Sequence, residues 1–275
     1  MLLPSFALLN PDSLWLMEPS ALARLASLPV KAAERCVSPP PPLPSPLSVE
    51  GGLATLSIHG PILRQASGLT RLIHAALGEP LAESGPLAGM IAELQNSPNI
   101  KVVLLDIDSP GGTVNGTPEL AAAVARLSRT KHVYAYTAGL CCSAAYWVAS
   151  QCDAIYAAPS SRLGSIGVIL QIQDTAGALH RSGIQVETFT AGKFKGTGAP
   201  GTSLSEEQRS LLQQQVESTW ADFRAAVNRR RNVAEDKMEG QTFSGSEAKA
   251  FGLADARADS LTFLQEKLLA RHCSV

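Results

Sequence analysis

The run Val102-Val103-Leu104-Leu105-Asp106-Ile107 is almost continuously apolar. A strand with one solvated face alternates apolar and polar residues. A strand covered on both faces does not, and such strands belong to parallel sheets layered between helices. Downstream segments repeat that theme. Thr117–Leu127 has helical composition, Val133–Thr137 reads as a strand, Ser143–Ser150 as a helix and Ala154–Ala157 as a strand. Leu53–Ile58 and the helical Pro86–Gln95 precede this series. Strands at Ile166–Leu170 and Val186–Thr190, with a helix at Thr175–Ser182 between them, extend it. A capping box at Ser205-Glu206-Glu207-Gln208 opens a long helix to about Arg230. Short strands alternating with helices predict an α/β fold with mostly parallel strands.

Length allows one large domain with an appendage: there are 275 residues. Residues 1–37 read as a leader, with one amphipathic helix from about Pro19 to Ala33. Residues 38–48 form a linker whose SPPPPLPSP core excludes helix and central strand. The main domain is expected over 49–275.

With 23 Lys+Arg against 24 Asp+Glu, no basic field marks a nucleic-acid binder. The run Arg229-Arg230-Arg231 is expected to lie solvated near a helix end. Five cysteines, Cys36, Cys141, Cys142, Cys152 and Cys273, follow no metal-binding spacing and read as small buried hydrophobes in a reducing compartment. No metal site or cofactor is expected. The apolar start lacks a basic region and carries Pro4 and Pro11, so it is not read as a secretory signal. No run reaches the roughly 18–20 apolar residues of a membrane span. The expectation is a cytoplasmic protein without a membrane anchor.

Loops at the carboxyl ends of parallel strands are where sites form, and three of them hold candidate residues. Ser109-Pro110-Gly111-Gly112 follows the buried strand, and its glycines either make a plain tight turn or aim backbone N–H groups at an oxyanion. Ser143 sits between a strand and a helix, and is either an N-cap or a nucleophile with the Ala144 N–H beside it. A nucleophilic serine needs a base. None of His59, His74, His132, His180 and His272 lies in a loop with an evident acidic partner, so a Ser-His-Asp triad is poorly supported. Lys195, in the loop Gly192-Lys193-Phe194-Lys195-Gly196, is the remaining candidate. To serve as base it must lose about three pKa units, roughly 4 kcal/mol, by burial against apolar atoms.

Taken in order, these segments resemble the signal peptide peptidase A / phage capsid-assembly protease C peptidases, which share a crotonase/Clp-type fold of repeated ββα units. The resemblance runs from about Leu53 to Asp255. It rests on Asp108-Ser109-Pro110-Gly111-Gly112, on Ala138 to Trp147 around Ser143, and on Gly164-Ser165-Ile166-Gly167-Val168. Ala191-Gly192-Lys193-Phe194-Lys195 with Ala199-Pro200, Thr242-Phe243-Ser244-Gly245, Ala248 and Gly252-Leu253-Ala254-Asp255 complete it. The resemblance implies that Ser143 is the nucleophile, that Lys195 rather than Lys193 is the base, and that Ser165 orients the lysine. It also implies an oxyanion hole from Gly111 or Gly112 with Ala144. Relatives commonly carry alanine or glycine where this chain has Cys141 and Cys142. The leader's Trp15-Leu16-Met17-Glu18-Pro19 is more like the phage branch, which implies scaffold and capsid proteins as substrates and partners and a homo-oligomeric enzyme. A housekeeping peptidase, a catalytically silent assembly module and an acyl-CoA enzyme of the crotonase type are the other readings.

Overall fold

A computed structural model of the protein describes residues 15–17 and 45–273. The expected leader helix at Pro19–Ala33 and nearly all of the linker lie outside the described residues.

In chain order, β1 (Trp15–Met17) comes from the leader. After it come β2 (Leu47–Glu50), β3 (Leu53–His59), β4 (Ile62–Leu63), α1 (Gly68–Leu77), β5 (Ala82–Glu83) and α2 (Ser84–Asn96). Next are β6 (Val102–Asp108), β7 (Gly111–Thr113) and α3 (Thr117–Leu127), then β8 (His132–Thr137), β9 (Leu140–Cys142) and α4 (Ala144–Ala149). β10 (Ala154–Ala157), β11 (Arg162–Gly164) and α5 (Ala176–Arg181) form a further unit. The chain closes with α6 (Glu206–Asn228), β12 (Thr242–Ser244), α7 (Gly245–Ala250), β13 (Ala256–Arg257) and α8 (Leu261–His272).

The long strands form a six-stranded sheet in the order β13-β10-β8-β6-β3-β2, parallel except for the β2–β3 hairpin. After each long strand the chain bends into a short one that joins a separate small sheet. These are β1-β7-β4-β5 and β12-β11-β9. This repeated ββα path is the α/β, crotonase/Clp-type layering expected from the sequence. β6 is covered on both sides. Val103, Leu105 and Ile107 pack into the core that holds α2, α3 and α4, while Val102 and Leu104 pack with Tyr134, Tyr136, Leu264 and Leu268 under α8.

The three segments read as loops or turns, 108–112, 138–142 and 160–165, contain β7, β9 and β11. Their glycine and proline content suggested turns, but the departing backbone finds neighbours. Ser109 bridges Cys141, and Cys142 pairs with Gly164. Gly112 is required where β7 crosses β4, because a Cβ there would stand 1.7 Å from the Ile62 carbonyl oxygen. The strands expected at Ile166–Leu170 and Val186–Thr190 do not form. Ile166 is buried in the core without becoming part of a strand, while Ile184, Val186 and Phe189 are exposed, with no paired strand beneath them among the described residues.

The arginine run is not wholly solvated, contrary to expectation. Arg230 reaches Asp153 at 3.2 Å. The Arg231 guanidinium is buried, pairs with Asp255 and donates to the carbonyls of Cys152 at 2.6 Å and Ser150 at 3.4 Å. Asp255 in turn accepts the Ile155 N–H at 2.8 Å. This cluster ties the end of α6 to β10 and to the approach to β13. Arg231→Ala leaves the acceptors of a buried cation unpaired, and a loss of roughly 3–5 kcal/mol of folding free energy is expected in urea unfolding. A loss below about 1 kcal/mol would show that the cluster is solvated in solution.

Candidate active site

Ser143 is the single residue between β9 and α4. Its backbone stands at φ 53° and ψ −117°, and it is 1 % exposed. Among the described residues, only Ser143 and Ser165, at φ 51°, are non-glycine residues with positive φ. Such backbone costs on the order of 1–3 kcal/mol at each position and persists only where the surroundings enforce it. The enforcing contacts are visible. The Ser143 N–H donates to the Gly164 carbonyl at 2.7 Å, and the Ser143 carbonyl accepts from the Trp147 N–H at 2.9 Å. The Ser165 N–H donates to the Gln241 carbonyl at 2.6 Å.

Register sets the two serines side by side. β9 and β11 are parallel and end on the pair Cys142↔Gly164. Ser143 and Ser165 are each the next residue, leaving strands about 4.8 Å apart. The Ser143 side chain does not cap α4, so the N-cap reading is not what the structure contains. Its hydroxyl donates instead to the Gly167 carbonyl at 3.5 Å, the outer limit of a hydrogen bond.

α4 can begin here because Ala144 and Ala145 are small and fully buried, and its larger residues anchor it. Trp147 stacks on Phe223 of α6 with ring centroids 4.6 Å apart, and the Tyr146 hydroxyl donates to the Leu253 carbonyl at 3.0 Å. The first N–H groups of a helix have no intrahelical acceptor, and Ala144 is the first residue of α4.

The glycine pair reaches the same place through Ser109. The Ser109 N–H donates to the Leu140 carbonyl at 2.7 Å, and its own carbonyl accepts the Cys142 N–H at 3.1 Å. β7 therefore begins beside the strand that carries Ser143. Gly111 stands at φ 106°, and its N–H points to the buried Ser109 hydroxyl at 3.2 Å. Sequence reading missed Ser109 as a residue that aims this loop, although Ser109 opens the Ser-Pro-Gly-Gly motif.

No hydrogen bond joins Lys195 to Ser143 among the described residues. Lys195 is exposed, in a series of turns, with its N–H on the Gly192 carbonyl at 3.2 Å. Neighbouring Lys193 lies 3.8 Å from Glu207 and 5.3 Å from the Phe194 ring centre. Strand pairing thus gathers Ser143, Ser165, Ala144 and the glycine loop, and no hydrogen bond among the described residues ties Lys195 to them.

One histidine does have an acidic partner. His59 Nε2 lies 2.9 Å from Asp106 on the adjacent strand. The period-two spacing of the strand could not show that, because the contact crosses between strands. No hydrogen bond among the described residues joins His59 to Ser143, whose hydroxyl bonds to Gly167. The hydrogen bond to Asp106 raises the His59 pKa, with partial burial opposing it and the charges of Asp106 and Asp108 adding to it. A raised folded-state value means the pair contributes its stabilisation fully below the ordinary histidine value of 6.5, and loses it as pH climbs through the raised value. A proton NMR titration should place His59 above 6.5, and His59→Gln should cost more stability at pH 5.5 than at pH 8. A cost independent of pH would contradict the ion pair. Burial also pushes the Cys141 thiol well above its usual value and Cys152 up to about 12. Neither should react with iodoacetamide in the folded protein at pH 8, whereas both should label in urea.

The family model for peptidase family S49 matches residues 125–269, which include Ser143, Ser165 and Lys195. A putative protease of Methanocaldococcus jannaschii is 35% identical over 170 residues, 60% of this chain and 55% of its own. Capsid assembly protease C of Escherichia phage lambda is 29% identical over 232 residues, 81% of this chain and 51% of its own. A putative signal peptide peptidase SppA of Enterococcus faecium is 28% identical over 170 residues, 60% of this chain and 49% of its own. The chain spans about half the length of these curated relatives. The family model covers more than half of the chain, and it falls on the segment that holds the strained serines: the chain belongs to peptidase family S49.

Proposed function

We propose that this chain is a serine endopeptidase in which Ser143 is the nucleophile and Lys195 the general base. The observation that carries the reading is Ser143 itself, held at φ 53° on a buried strand-to-helix turn beside Ser165. A neutral Lys195 would take the Ser143 proton as its oxygen attacks a peptide carbonyl. Backbone N–H groups of Ala144 and of Gly111 or Gly112 would hold the oxyanion. The Lys195 ammonium would then protonate the leaving amine, and water would release the acyl group. Ser165 is the positioning residue that hands Lys195 toward Ser143.

To serve as base, Lys195 must be covered by apolar atoms in the working state. Residues 184–194 carry exposed Ile184, Val186, Phe189 and Phe194 next to Lys195. These supply the apolar contacts that a homo-oligomer would bury together with the lysine. The biological role we assign is capsid assembly in a phage or prophage, with scaffold or capsid proteins as partners. It is supported by the lambda protease matching 81% of this chain. No helix among the described residues is long and apolar enough to cross a membrane, in keeping with an enzyme of the host cytoplasm or prohead.

Mass spectrometry of casein incubated with the purified full chain tests the chemistry. Ser143→Ala should abolish cleavage, a fall on the order of 10⁶ in kcat. Lys195→Ala should lower it by about 10²–10⁴, and Ser165→Ala by less than Lys195→Ala. Cleavage by Ser143→Ala at the wild-type rate would remove the reading.

A further inference from the structure

β1 is an unusual strand. It is only three residues long, it comes from the leader, and its sheet partner is β7 alone. The pairing is antiparallel, with Trp15 opposite Thr113, Leu16 opposite Gly112 and Met17 opposite Gly111. β7 already has β4 on its other side, so β1 occupies the free edge of the strand that contains both candidate oxyanion glycines.

That edge is where an extended peptide would have to lie to present a carbonyl to Ser143. Edge strands recruit a further strand through backbone bonds that any sequence can make. Direction agrees as well. β1 runs from the Thr113 end of β7 to the Gly111 end, and beyond Gly111 lies Ser109, which pairs with the strand leading into Ser143. A chain on this path travels toward the nucleophile.

We propose that Trp15–Met17 is a built-in competitor: the leader docks as a substrate-like strand on β7 and must leave before a protein substrate can bind. The proposal rests on the peptidase reading above, since it takes the β7 edge as that enzyme's substrate strand. Three residues give a weak strand, well below the usual length of five or six. Tethering compensates, because a segment on the same chain acts at an effective concentration on the order of millimolar. Occupancy of about nine-tenths would weaken any competing peptide about tenfold, since only the open fraction binds. A weak strand held this way blocks stray unfolded chains. It still yields to a substrate delivered at high local concentration.

The test uses the full chain with Leu16→Pro and Met17→Pro together. Hydrogen-bonded positions alternate along an antiparallel pair, so two adjacent prolines remove at least one bonded N–H. Both residues lie outside the body that begins at residue 45, and thermal unfolding of that body should be unchanged. On a Ser143→Ala background, which keeps the probe intact, a fluorescein-labelled peptide of residues 13–20 is titrated by anisotropy. The proline form should bind it about tenfold more tightly than the form with the native leader. In active protein the same substitutions should lower KM for casein about tenfold and leave kcat unchanged. Equal peptide affinity in the two forms, including no binding to either, overturns the proposal, and so does an unchanged KM. If both active forms cleave nothing, the peptidase reading falls, while the anisotropy comparison still decides whether β1 guards the β7 edge.

Discussion

The site depends on one arrangement of backbone: two parallel strands, β9 and β11, that end in register and each lead into a serine with positive φ. Neither serine would adopt this conformation alone. The bond from the Ser143 N–H to Gly164, and that from Ser165 to Gln241, fix each turn from a different strand. Burial of all of α4 stops Ser143 from relaxing toward an ordinary helix start, because Trp147 is stacked on Phe223 and Tyr146 is tethered to Leu253. Strain located at two adjacent side chains, and nowhere else among the described non-glycine residues, is what distinguishes this turn from the other strand-to-helix turns of the fold.

Much of this was legible in the sequence, and for a physical reason. The nearly continuous apolar run at Val102–Ile107 reads as a strand buried on both faces, and it is. The Ser205–Gln208 capping box was equally readable and is present, and α3 has the expected bounds although Gly116 at its start makes no side-chain cap. The short strands β7, β9 and β11 were not readable. Each has three residues and turn-forming composition, and each exists only because a neighbour from a distant part of the chain pairs with it. The missing strand at Val186–Thr190 reverses that case, since alternation is there and a paired strand is not, and the apolar run at Ile166–Leu170 is buried at Ile166 without forming a strand. Ser143 and Ser165 were found through the motifs around them. Nothing in composition could have revealed that they share a strained backbone, nor that Ser109 aims the glycine loop.

The lysine loop poses a different problem, because sequence and structure agree on its residues and disagree on its surroundings. In the proposed mechanism Lys195 must be neutral often enough to act as base, which needs a pKa about three units below the ordinary lysine value, or roughly 4 kcal/mol against the ammonium. What can supply it is a layer of apolar atoms brought over the lysine, and the segment leading to it carries such atoms on its outside, with Phe189 at 91 % exposure. A soluble chain does not normally hold an aromatic ring that far into water unless something covers it in the working state. On the proposed mechanism, a contact that hid Phe189 would also desolvate Lys195 six residues away, which would couple assembly to activation of the base. The strained turn at Ser143 is set by bonds within a single chain, so on that mechanism only the proton acceptor would wait on what lies around it.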